Sequence, residues 1–357
     1  MTRKFLKWFI GGSVTLLLLC IVVVILFDPF YQYHKPLPGL KAILSDKEYQ
    51  CVGTLKNFDY DSVIAGSSVA ENYNNRWFDE GFHCTSIKAV RSYGATADLC
   101  YLLDIAFAKQ DIKYVFYNMD PSSLSAEPVT TYESTGCPMY LYDDNHLNDI
   151  QYLLNKDILF EKIPYMIANS FIGDYDEGNS YNWAQWKTFS EDMILSQYHR
   201  KADIADMLPP DYYQQNLEGN LALLTEQITK HPDTSFKIFI PPYSMLWWDN
   251  IYRNGETECY LYNMEKAMET LLSYDNVELY CFINDREIVT DLNNYMDLLH
   301  FSADVNAYIC NSLIEDSHKV TKDNYKEVIE DMQTFSYQVV EELIIPYEDR
   351  IIMETTN

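Results

Sequence analysis

The sequence predicts an α/β protein: a three-layer αβα sandwich around a five-stranded parallel sheet, preceded by one membrane-spanning helix. Two observations carry this. Short apolar, β-rich runs alternate with stretches whose apolar residues recur at helical spacing, the pattern of a parallel sheet covered on both faces. And from Trp8 to Phe27 twenty residues pass without a charge, rich in Leu, Val and Ile. As a helix, that run is long enough to cross the ~30 Å core of a bilayer.

Residues 1–7 read as a cytoplasmic tail, because Arg3, Lys4 and Lys7 form a basic flank that stays inside. Residues 8–27 are the transmembrane helix, in contact with the lipid bilayer. The run exceeds a typical signal-peptide core and no small-x-small site follows it, so the anchor is expected to stay attached. Phe27, Phe30, Tyr31 and Tyr33 read as an interfacial aromatic belt. Residues 28–58 form a juxtamembrane connector with turn signals at Pro36, Pro38 and Gly39. Residues 59–357 are the extracytoplasmic domain.

Five strands are expected in that domain: 61–65, 85–89, 112–117, 235–240 and 277–282. Helices are expected at 95–109 and 259–273. The interval at about 122–234 is too long for a structureless loop and reads as a helical insertion. Its aromatic residues, among them Tyr140, Tyr142, Tyr181, Trp183 and Trp186, would either wall a groove or pack the insertion on itself. Residues 323–345 read as one amphipathic helix.

A formal net charge of -27 over 357 residues leaves no basic footprint for nucleic acid. The eight cysteines show no metal-binding spacing. Seven lie beyond the anchor, an odd number, and several sit in apolar runs; they read as mostly reduced thiols. Nothing in the sequence asks for a metal or a cofactor.

The chemistry starts at Gly66-Ser67-Ser68, directly after the first apolar run. A serine there sits at the carboxyl edge of a strand and at a helix start, where it is either a cap or a nucleophile. A nucleophile needs a base, and the base an orienter. Asp297-Leu298-Leu299-His300 supplies both, three residues apart, in a loop after the last strand. Asp297 can then hold one imidazole nitrogen while the other faces the serine.

The Gly-x-Ser turn and the Asp-x-x-His block together resemble the SGNH/GDSL hydrolase superfamily, over most of residues 60–315. The resemblance implies a flavodoxin-like fold with Ser68 as nucleophile and Asp297 and His300 as its relay. Ser67 stands where the family has an Asp. The resemblance also implies an oxyanion hole built from the N–H groups of Ser68 and Gly94, with the amide of Asn118. Gly94 lies in Ser92-Tyr93-Gly94-Ala95, and Asn118 lies in Tyr117-Asn118-Met119-Asp120, which departs from the family's Gly-x-Asn-Asp.

An anchored, outward-facing domain of this kind is similar in layout to bacterial proteins of teichoic-acid D-alanylation and polysaccharide O-acetylation. That likeness implies a hydrolase or O-acyltransferase acting on acylated envelope glycans or polymers through an acyl-serine. It also implies a multi-spanning membrane O-acyltransferase as partner. The alternative is a non-catalytic accessory protein that keeps the fold as a docking module for such a complex.

Overall fold

A computed structural model describes residues Thr2 to Glu354. The chain divides into two compact units: residues 1–59 with 132–181, and residues 60–131 with 182–357.

The first unit begins with the helix Thr2–Phe27, long and apolar enough to cross a membrane. The chain leaves it through Asp28, whose buried carboxylate accepts the N–H groups of Gln32, Tyr33 and His34 at 2.7–3.1 Å and the hydroxyl of Tyr152 at 2.8 Å. Phe30 stacks on Tyr152 with ring centroids 5.3 Å apart. Phe30 and Tyr31 are therefore buried inside this unit and do not form the expected aromatic belt. The helix Lys47–Asn57 lies against this bend because Gly53 has no side chain: a Cβ there would sit 2.2 Å from the carbonyl oxygen of Phe30. Tyr142 and Tyr181, which would either wall a groove or pack the insertion, are buried as packing residues.

The second unit holds the sheet. Its strands, in chain order, are β1 (Ser62–Gly66), β2 (Ser86–Val90), β3 (Tyr114–Asn118), β4 (His199–Lys201), β5 (Ser235–Ile240), β6 (Val277–Cys281), β7 (Lys319–Val320) and β8 (Ile352–Glu354). Six of them form one sheet in the order β2-β1-β3-β5-β6-β7, and β4 pairs with β8 separately. β1, β3 and β5 are central and almost wholly buried, which is why they read as mostly apolar runs, Lys237 of β5 being the charged exception. The helix Thr96–Lys109 contacts β1, β2 and the helix Gln214–Lys230, while Asn75–Phe82 contacts β2 and Ala303–Ile314.

The sheet is mixed, not the five-stranded parallel sheet the sequence predicts. β7 pairs antiparallel with β6. The reversal is made by Asp316 and His318, both at positive φ, and by charge. Glu278 of β6 accepts from Lys237 of β5 at 2.8 Å and from Lys319 of β7 at 2.7 Å. Burial alone would raise the Glu278 carboxyl, but the two lysines outweigh it and hold it down at about 2. Two residues of strand leave no periodicity to read.

None of the eight cysteines is disulfide-bonded. Cys51, Cys100, Cys259, Cys281 and Cys310 are buried as small apolar groups, and burial pushes the Cys281 thiol up to about 12. The last expected helix runs Tyr325–Gln338 and continues as a wider π-type turn to Leu343.

Candidate active site

β1 ends at Gly66, where the chain must pass close to two neighbours. A Cβ at this residue would lie 2.6 Å from Cβ of Ala70 and 2.8 Å from Cβ of Asn118. The glycine lets the chain turn sharply, and the turn presents two serines differently. Ser67 is buried against the body. Ser68 is half-buried, and its Oγ lies 2.9 Å from Nε2 of His300. The chain then makes a single 3-10 turn, Ala70–Asn72, and not the helix start the sequence suggests. Ser68 is therefore not an α-helix cap.

The peptide carrying Ser68 is held from outside. Its carbonyl accepts from Nε1 of Trp183 at 3.2 Å and from the Asn72 amide at 3.3 Å. Asn182 donates to the carbonyl of Asn72, and Ala184 N–H to its side chain. Residues 182–184 thus strap the serine turn in place. The Trp183 ring also meets His300 edge-on, with centroids 4.8 Å apart.

His300 and Asp297 share a loop that β5 anchors. The Leu298 carbonyl accepts both the N–H and the hydroxyl of Ser244 at 3.1 Å, and Tyr295 donates its hydroxyl to the carbonyl of Pro242 at 2.7 Å. Within the loop, Asp297 Oδ1 accepts the backbone N–H groups of Leu299 and His300, each at 2.9 Å. Its Oδ2 lies 2.8 Å from Nδ1 of His300. With a carboxylate there, the network assigns the proton to Nδ1 and leaves Nε2 to accept from Ser68. Burial would raise the Asp297 carboxyl, but these hydrogen bonds and the imidazole hold it below its ordinary value.

The expected oxyanion donors are arranged less simply. The Ser68 N–H has no acceptor among the described residues. The Gly94 N–H donates to the carbonyl of Arg91 at 3.0 Å, closing the turn after β2. Asn118, at the end of β3, donates from Nδ2 to Oδ1 of Asp120 at 2.9 Å and accepts from the hydroxyl of Tyr73 at 3.4 Å. One of its two amide hydrogens is engaged there, and a second remains.

Asp120 and Tyr243 were not singled out by the sequence. Asp120 is buried, and Tyr243 donates to the same Oδ1 at 2.5 Å. Burial pushes the Asp120 carboxyl above its ordinary value, against hydrogen bonds from Ser67, Tyr243 and Asn118 that pull it down. A signal was present: Asp120 is two residues beyond Asn118, and Tyr243 follows the Pro-Pro stop of β5, both at the edge where such sheets bind ligands.

Among the exposed aromatics of this unit, two stand out, ahead of the 57% exposed Tyr212. Tyr93 is 88% exposed and Trp186 is 83% exposed. Tyr93 also sits at φ +55, a strained position for a bulky residue. Its neighbours fix it there: Ser92 donates to Glu71 at 3.0 Å, and Gly94 closes the turn. Among the described residues, no group of three or more His, Cys, Asp or Glu side chains is placed to hold a metal ion. No family model matches the chain, and no curated protein matches it.

Proposed function

We propose that this protein is a membrane-anchored serine acyl-ester enzyme of SGNH type, with a flavodoxin-like αβα domain on the outer face of a bacterial membrane. One observation carries the reading: the unbroken line from Ser68 Oγ through His300 to Asp297, at 2.9 and 2.8 Å. The Ser68 oxygen attacks the ester carbonyl while its proton passes to Nε2 of His300. Asp297 steadies the imidazolium. Collapse of the tetrahedral intermediate breaks the ester C–O bond, and His300 returns the proton to the leaving oxygen. Water or a sugar hydroxyl then gives up a proton to His300 as its oxygen bonds the acyl carbon, and the acyl–Oγ bond breaks while His300 returns that proton to Ser68. The Ser68 N–H, which has no acceptor among the described residues, would meet the oxyanion, with the second Asn118 hydrogen as its companion.

Exposed Tyr93 and Trp186 support a glycan or related polymer as the acyl carrier, since a flat apolar face suits a sugar ring. The helix Thr2–Phe27 supports a single-pass anchor with the N-terminus in the cytoplasm. A multi-spanning O-acyltransferase would supply or receive the acyl group.

The engaged Gly94 N–H favours a second reading, an accessory module without turnover. Labelling with a fluorophosphonate and turnover of an acetylated glycan separate the two. The first reading expects Ser68 to be labelled and the ester hydrolysed or transferred, both lost in Ser68→Ala. A native chain that neither labels nor turns over an ester leaves the docking module.

A further inference from the structure

We infer that residues 147–172 form a surface that dips into the outer leaflet of the bilayer beside the anchor helix. The inference rests on reading Thr2–Phe27 as a membrane anchor and is independent of the chemistry proposed for Ser68. It begins with depth. Counted from Trp8, just past the basic flank, a span of ~30 Å needs about 20 residues and ends near Phe27. The last two turns of the helix therefore lie in the outer leaflet.

Those turns are not bare. Val24 is fully buried, and Cys20, Ile21, Val23 and Phe27 are partly covered, while nearly all the preceding turns are exposed. The cover comes from within the same compact unit. The helix contacts Ile150–Leu153 and Ile158–Lys162. Segments packed beside residues at hydrocarbon depth stand at that depth themselves.

Their outward faces match. Leu147, Ile150 and Leu154 follow one another at helical spacing and are all exposed, Leu147 by 90%. Further along, Phe160 is 73% exposed and Ile172 is 87% exposed, with Phe171 beside it. Several large apolar side chains exposed along one stretch of a single unit, residues 147–172, mark an interaction surface when water is the only other neighbour. Lipid is the occupant because the surface continues the anchor helix, which already fixes its height. The same stretch also exposes Lys156, Asp157 and Glu161, with Lys156 paired to Asp157 at 3.9 Å, so these charges stand at headgroup height while the apolar side chains reach deeper.

The test places a photoreactive benzoylphenylalanine at Phe160, at Ile172 and at Leu16, one position per full-length chain, in nanodiscs of phosphatidylglycerol and phosphatidylethanolamine. After irradiation, adducts are read by mass spectrometry. Lipid adducts are expected at all three positions. Lipid adducts at Leu16 with none at Phe160 and Ile172 overturn the inference and leave the anchor standing. No lipid adduct at Leu16 removes the anchor, and the inference falls with it. In native membranes, a protein adduct replacing lipid at Phe160 and Ile172 overturns the inference in favour of a docked partner.

Discussion

Two carboxylates stand after two strands of one sheet that flank β5, Asp297 in the loop beyond β6 and Asp120 in the turn beyond β3. Their surroundings push them apart. Asp297 receives an imidazole and two backbone N–H groups and is held below its ordinary value. Asp120 is buried, receives neutral donors and is pushed above it. Opposed environments of this kind usually mean different roles. In the proposed reaction, Asp297 is the charge that holds an imidazolium. Asp120 is the hub that fixes Asn118, Tyr243 and Ser67.

The same isosteric substitution at the two positions tests this contrast. Asp297→Asn keeps Oδ1 for the N–H groups of Leu299 and His300, so the loop has reason to hold. It places an amide donor against Nδ1, which forces the proton onto Nε2. That nitrogen can then no longer accept from Ser68. The expected loss in kcat on an acyl ester is on the order of 10⁴. A loss of tenfold or less would sink the relay.

Asn118→Ala comes next. It tests the less prepared half of the site, where the Gly94 N–H is engaged with Arg91 and the Ser68 N–H is open. If the second Asn118 hydrogen meets the oxyanion, kcat falls by roughly 10² to 10³ with little change in KM. A loss of a few-fold sharpens the contrast differently: Ser68 N–H works alone, and Asn118 belongs with Asp120 as structure.

The legible parts of the molecule are those whose signal is local. β5 was readable to the residue, because Ser235–Ile240 is a short β-rich stretch, apolar apart from Ser235 and Lys237, ended by two prolines. Ser68 and His300 were readable as neighbours because each lies in a short motif tied to the end of a strand. β7 was not, because a two-residue strand is made by its partner Glu278 and by a left-handed turn. The grouping of residues 132–181 with 1–59 was equally hidden. It depends on polar pairs such as Asp28 with Tyr152, and no pattern within either segment announces the other. Asp120 was missed for a third reason: its position at the strand edge was legible, but its importance lies in burial, and a lone Asp after a strand reads as a turn residue.

Asp120→Asn should have the smallest effect on turnover, and its signature is in pH. Both mapped donors, Tyr243 and Asn118, reach Oδ1, which asparagine keeps. Its new Nδ2 can face Ser67, whose hydroxyl can accept. Turnover should stay within about tenfold, since one hydrogen bond is worth about 1 kcal/mol. The folded carboxyl titrates above its unfolded value of 3.8. Between those two values the folded state binds more protons than the unfolded one, so stability falls as pH rises through the window. Asparagine cannot ionise and escapes that fall. The stability of the variant relative to the native chain should therefore improve from pH 4 upward and level off above the folded value, as read by urea midpoints. A difference that stays flat with pH would mean that Asp120 is ionised at little cost. The two carboxylates would then be alike in state, and only their positions would distinguish them.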